Sequence, residues 1–232
     1  RSRSGSIKYS KILGNDEKTK IHAKYSYGKN PPDLLILAYG QNYNFFLEDI
    51  DIELEAIRSK EIGIKTNLGE HELGFVYFDN FINNLSTAPW SPNGYQRVLV
   101  DSSQTGSETY LSGKLGDQIR YNISYSYLNA KDDEGSQLIR RPKDKWKASI
   151  AREFSNFNIG ANFTKVSGLT DFAGKSFDIK DYSVARIYGT YFVSEVCSIH
   201  FRVENAMNEK YSYLKGYPAP PRQAYLGMTY GF

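Results

Sequence analysis

A single cysteine, Cys197, stands in these 232 residues, so no internal disulfide can form and no CxxC-type metal site can be built. Long apolar runs are missing too. The longest, 34–39, is six residues, far short of the ~20 that a membrane helix requires. Charge of one sign is equally scarce: 29 basic against 26 acidic residues leave +3, too even for a polyanionic partner, and the basic residues are scattered, so nucleic acid is not an expected partner. The opening RSRSGSIKYS has no apolar core for a signal peptide and no initiator methionine, and Arg1 is expected to be a cut point inside a longer protein. The three histidines, His22, His71 and His200, lie far apart and are expected to be lumen or turn residues, so no metal site is expected. No G-x-S-x-G elbow or comparable motif is present. No catalytic residue, cofactor or enzymatic activity is therefore expected.

Aromatics and glycine are present in quantity, with 19 Tyr, 13 Phe and 19 Gly. Tyrosine suits strands, and it suits surfaces where an apolar body meets a wet tip. Its placement is periodic. Ile119, Tyr121, Ile123, Tyr125 and Tyr127 alternate with Arg120, Asn122, Ser124 and Ser126. Cys197, Ile199, Phe201 and Val203 alternate with Ser198, His200, Arg202 and Glu204. In the last stretch, Ala224, Leu226, Met228, Tyr230 and Phe232 share one face. A period of two is a strand signal. It places eleven strands, at 6–13, 20–29, 57–68, 72–82, 97–114, 118–131, 145–154, 157–167, 181–193, 197–206 and 222–232.

The connections alternate short and long without exception, the long ones being 30–56, 83–96, 132–144, 168–180 and 207–221. Tight turns at one end and long loops at the other are the layout of an outer-membrane β-barrel. One strand face carries almost no charge, as hydrocarbon demands, and the other carries His200, Arg202 and Glu204, as a wet lumen allows. Eleven strands is an odd number and cannot close antiparallel on itself. The expected fold is thus all-β: an antiparallel transmembrane β-barrel, about eleven strands of a presumed 22-stranded one.

The C-terminal stretch VENAMNEKYSYLKGYPAPPRQAYLGMTYGF resembles the end of TonB-dependent outer-membrane receptors. Asn205, Asn208, Lys210 and Tyr211 match its first part, and Gly216, Tyr217, Pro218, Pro220 and Arg222 its second, with Pro221 where glycine is usual. IELEAIRSKEIGIKTNLG resembles another segment of the family through Glu55, Glu61, Gly63 and Lys65, with Leu54 in place of proline. GSETYLSGKLGD matches through Gly106, Glu108 and Gly113, and RRPKDKWKASI through Arg140, Arg141 and Pro142. The resemblance spans nearly the whole chain. It implies that 1–232 is the C-terminal part of a receptor barrel domain, with plug domain and signal peptide outside it.

The implied role is TonB-energised uptake of a scarce nutrient of the ferric siderophore, haem or cobalamin class across the Gram-negative outer membrane. The implied partners are outer-membrane lipid, the TonB energy-coupling complex (through the part not in this chain), and the barrel assembly machinery through Phe232. The alternatives are a plug-free porin or other small barrel, and a soluble all-β carbohydrate-binding module. Exposed aromatics on long loops are the expected ligand contacts: Tyr43, Phe45, Phe46, Trp90, Tyr95 and Phe172. Loop composition does not choose the ligand. Glu61 and Glu108 are expected to face the lumen, either lining the pathway or pairing with neighbouring Lys and Arg.

Overall fold

Strand-forming residues in steps of two build an all-β fold, and among the described residues there is no helix. The computed structural model describes residues 3–14, 17–31, 54–87, 90–91, 94–95, 98–172 and 176–231. The strands are β1 (Gly5–Leu13), β2 (Thr19–Asn30), β3 (Glu55–Leu68), β4 (His71–Thr87), β5 (Trp90–Ser91), β6 (Gly94–Tyr95), β7 (Val98–Leu115), β8 (Ile119–Asp132) and β9 (Asp144–Glu153). There follow β10 (Phe157–Ser167), β11 (Leu169–Phe172), β12 (Ser176–Ile179), β13 (Tyr182–Ser194), β14 (Cys197–Glu204), β15 (Ser212–Leu214), β16 (Tyr217–Pro218) and β17 (Gln223–Tyr230).

Eleven of them form one antiparallel sheet in the order β1-β2-β3-β4-β7-β8-β9-β10-β13-β14-β17. Each long strand pairs with the next one in sequence, so the sheet is a meander. The sheet is open, with β1 and β17 at its edges. The other six strands make three small hairpins, β5–β6, β11–β12 and β15–β16, all inside long connections. Sequence periodicity did not anticipate these hairpins, because strands this short hold too few residues to display a period.

The two faces differ by one residue in register. Leu73, Leu111, Ile123, Ala148, Phe163 and Ala185 form a row of cross-strand partners from β4 to β13. One step along each strand, the opposite face reads Glu72, Ser112, Asn122, Ser149, Asn162 and Arg186. A slip of one residue would exchange the two rows, so the register decides which face meets which solvent. The apolar face stays open, with Leu226 80% and Met228 70% exposed. Several charges on this face have partners: Lys60 lies opposite Asp79, the Tyr125 hydroxyl donates to Asp144, and Arg152 sits over the Phe154 ring.

The turns at one end are tight. Leu68 pairs with His71 across a two-residue turn whose Gly69 has φ 64°, the position where a hairpin of this type requires glycine. Leu115 pairs with Ile119 across a turn containing Gly116, and Ser194 pairs with Cys197. At the far end of β4 a bulge between Ile82 and Leu85 is held by Asp101, which accepts from Asn83 Nδ2 and from the Asn84 amide. Buried apolar side chains are few, and the one cluster of them among the described residues sits at this far end, between β10 and β13.

Candidate functional site: the outer rim and the lumen wall

Three long connections meet at the rim. Val166, Leu169, Ile179 and Tyr182 form the buried cluster, with Val184 and Tyr211 packed against it. Asp171 of β11 is only 2% exposed. Its Oδ1 accepts from Arg140 Nε at 2.9 Å and its Oδ2 from the Lys215 amide at 2.9 Å. Arg140 also donates its own amide to the Thr170 carbonyl. One carboxylate thus ties the segment before β9, the β11–β12 hairpin and the β15–β16 hairpin together. Burial of a carboxylate is tolerated here because charged and neutral donors both reach it.

The connection from β14 to β17 is clasped by two asparagines in the left-handed region, Asn205 (φ 46°) and Asn208 (φ 53°), where asparagine is one of the few tolerated residues. Asn205 Oδ1 accepts from the Glu209 amide, and its Nδ2 donates to the Glu209 and Pro220 carbonyls. Asn208 Oδ1 accepts from the Arg222 amide at 3.0 Å. These contacts give Asn205, Asn208, Pro220 and Arg222 a loop-shaping role. Tyr217 and Pro218 lie on β16, and the Tyr217 side chain is 71% exposed. Tyr211 stacks on Tyr182 and its hydroxyl lies 3.0 Å from that of Tyr213. Burial, and then the bond to Tyr213, raise its phenol pKa well above the usual value, so it remains a neutral hydrogen-bonding group throughout the physiological range. Between the hairpins lies a cleft of about 600 Å³ whose lining includes Lys180, Glu209, Lys210, Tyr211, Lys215 and Pro218.

The polar face carries the charged motif residues. Glu61 accepts from or pairs with His22 Nε2 at 2.8 Å, so a histidine, and not the expected Lys or Arg, is its partner. The same imidazole covers Gly63, where a β-carbon would stand 2.3 Å from His22 Cε1. Gly106 lies under the Phe78 ring, its direct cross-strand neighbour. Glu72 is held by Lys65 and by the Tyr110 hydroxyl. Glu108 shares this face, on β7, and among the described residues it has no hydrogen-bond or ion-pair partner. Glu55 opens β3 opposite Asn30.

The expected aromatic contacts divide into three groups. Tyr43, Phe45 and Phe46 lie outside the described residues, as does Phe232. Trp90 and Tyr95 are direct cross-strand partners in the β5–β6 hairpin. Phe172 ends β11 and pairs with Ser176, next in sequence to the buried Asp171. Sequence reasoning missed Asp171 altogether. Its partners lie 31 and 44 residues away, and no local pattern marks such a latch. Among the described residues no group of three His, Cys, Asp or Glu could hold a metal ion.

Set beside known proteins, this geometry has a family. A family model described as "TonB dependent receptor-like, beta-barrel" matches residues 5–206. The chain belongs to the TonB-dependent receptor β-barrel family. It is 24% identical over 217 residues to the vitamin B12 transporter BtuB of Vibrio cholerae, a match covering 91% of this chain and 34% of that protein. It is 25% identical over 195 residues to the metal-pseudopaline receptor CntO of Pseudomonas aeruginosa, covering 75% of this chain and 27% of that one. The chain therefore spans about a third of the length of the curated relatives it matches.

Among solved structures, the copper transporter OprC superposes with a TM-score of 0.79 at 17% identity, over 99% of this chain and 39% of that one. The ferripyoverdine receptor of Pseudomonas aeruginosa gives 0.76 at 17% identity, over 97% and 32%. These receptors are outer-membrane β-barrels of Gram-negative bacteria, which fixes the location of this one. The relatives are transporters and receptors, not enzymes. The open eleven-stranded sheet is accordingly a stretch of barrel wall, with its apolar face to lipid and its polar face to the lumen.

Proposed function

We propose that the chain forms part of the wall of a receptor for TonB-energised uptake of a scarce, metal-bearing nutrient of the siderophore, haem or cobalamin class. One observation carries this reading: the receptor family model spans 5–206, and the similar proteins named above handle vitamin B12, metal-pseudopaline, ferripyoverdine or copper. The chemistry asked of the wall is recognition without bond making. Capture needs convergent contacts at the outer mouth, and release needs contacts that differ between two states of the receptor.

Tyr43, Phe45, Phe46, Trp90, Tyr95 and Phe172 are the proposed capture residues, and the exposed Tyr217 is added to that set. A rim latched by Asp171 and clasped by Asn205 supports this role, because a preorganised loop loses less entropy when ligand binds. The TonB complex would act through residues outside this chain. The edges of β1 and β17 would pair with further strands of a larger barrel, since an unpaired edge is not tolerated in lipid. Phe232 is the proposed recognition point for the barrel assembly machinery. Replacing it with Asp in the full-length protein is expected to lower the amount of heat-modifiable barrel in the outer membrane; an unchanged amount would contradict the assignment.

The test of the functional reading is uptake by cells carrying the full-length protein. Radiolabelled cobalamin, haem and a panel of ferric siderophores would be offered to TonB-positive and TonB-deleted cells. Uptake of one ligand that vanishes without TonB is expected. Uptake that persists without TonB would overturn the proposal in favour of a plug-free pore.

A further inference from the structure

We infer that the luminal face of β13, β14 and β17 holds an oxyanion site, built for a carboxylate or a phosphate group. Two guanidinium groups there share one carboxylate oxygen: Arg186 Nε and Arg202 Nε lie 3.5 and 3.0 Å from Glu204 Oε1. Two cations against one anion leave a surplus positive charge. The Arg186 contact is an ion pair without a hydrogen bond, since Arg186 Nε is buried and has no hydrogen-bond partner. Asn162, the direct partner of Arg186 on β10, and Gln223, the partner of Glu204 on β17, are neutral. The positions directly across the ladder therefore supply no second anion.

Glu204 takes the Nε side of each arginine, and among the described residues their terminal Nη groups have no partner. Arg186 Cζ stands 5.1 Å from the Tyr188 ring centroid, and Arg202 Cζ 4.5 Å from that of Tyr225. Stacking occupies the flat faces of a guanidinium, whereas its five N–H donors lie in the plane, where they match the two oxygens of a carboxylate or phosphate. Tyr225 is itself held, its hydroxyl donating to Gln223. One step toward the short-turn end, His200 sits among the hydroxyls of Thr190, Ser198 and Thr229. Opposite His200 stands Gly227, around which a β-carbon would meet nothing within 4 Å. The result is a cleft of about 330 Å³ whose lining includes Arg186, Tyr188, Thr190, His200, Arg202 and Tyr225, with Phe201 and Leu226 also at its wall, and with room for a small oxyanion beside the arginine edges. The inference needs the barrel wall that puts this face in the lumen, and it is independent of which nutrient the receptor takes up.

The oxyanion could come from a free solute or from an acidic side chain of the rest of the protein lodged in the lumen. Two arms on the full-length protein in detergent separate them. The first arm measures binding of inorganic phosphate by phosphorus NMR line broadening. Arg202→Gln is expected to weaken binding at least about tenfold, while Glu204→Gln, which removes the competing internal carboxylate, is expected to tighten it. A purely structural ion pair would make both substitutions act in the same direction, through stability. The second arm uses Arg202→Lys with a zero-length carbodiimide. Cross-linking of the new amine to an Asp or Glu outside this chain identifies a polypeptide source, in which case phosphate is excluded from the wild type. The proposal is overturned if phosphate binding is absent or indifferent to both substitutions and the amine at position 202 is joined to Glu204 alone. Both readouts are of binding, not uptake, so their failure leaves the transport reading standing, and the reverse also holds.

Discussion

A ring lying over a bare glycine is the smallest device that recurs in this sheet. Tyr188 covers Gly160, Tyr110 covers Gly74 and His22 covers Gly63, in each case from the position directly across the ladder. The ring shields the backbone of the neighbouring strand and loses its own rotamer freedom, and so pins the register on the wet face. Gly160→Val would put a β-carbon 2.5 Å from Tyr188 Cζ, and the ring would have to swing away from its position beneath Arg186. A loss of about 1–3 kcal/mol in stability is expected for such overpacking, read as a lower urea midpoint in detergent. An unshifted midpoint would mean that the ring is free to move. The glycines are visible in the sequence, and Gly63 stood out as a motif position, but the covering ring comes from a residue 41 positions earlier. Which glycine needs which aromatic is set by register, and register belongs to the pairing of strands. For the same reason Asn205 could be recognised as a motif residue while its work as a loop clasp could not.

At the scale of elements, the eleven long strands were legible because each must present alternate residues to two different solvents. A strand that faces lipid on one side cannot hide its period, and the observed β8 (Ile119–Asp132) and β10 (Phe157–Ser167) lie within a residue or so of their expected bounds. The segregation of short turns from long connections was legible for a related reason, since it is counted along the chain. The three rim hairpins were not legible: β5 and β6 are two residues each and β11 and β12 four. The β11–β12 and β15–β16 hairpins are held by the Val166–Tyr182 cluster and the Asp171 latch, both assembled from distant segments. Asp171→Ala would leave Arg140 Nε and the Lys215 amide without that acceptor, at a cost of about 1–3 kcal/mol. The expected outcome is faster protease cleavage within 205–222 with the folded barrel otherwise unchanged. Cleavage at the wild-type rate would show that the buried cluster alone holds the rim.

For the whole molecule, what matters is which face of the sheet meets which solvent. The row through Leu73, Ile123 and Phe163 must touch hydrocarbon, and the row through Glu72, Asn122 and Asn162 must touch water. Every later step depends on this, including the lumen position of Glu61 and Glu108, the outer rim as the capture surface and the placing of the arginine pair. The sharpest measurement is a nitroxide scan along β8 of the full-length protein in bilayers, on a background with native cysteines replaced, comparing relaxation by oxygen, which partitions into lipid, with relaxation by a water-soluble nickel complex. Labels at 121, 123 and 125 are predicted to respond to oxygen, and labels at 122, 124 and 126 to nickel, with a period of two. Equal nickel access on both faces would contradict the barrel wall and return the chain to the soluble all-β proteins.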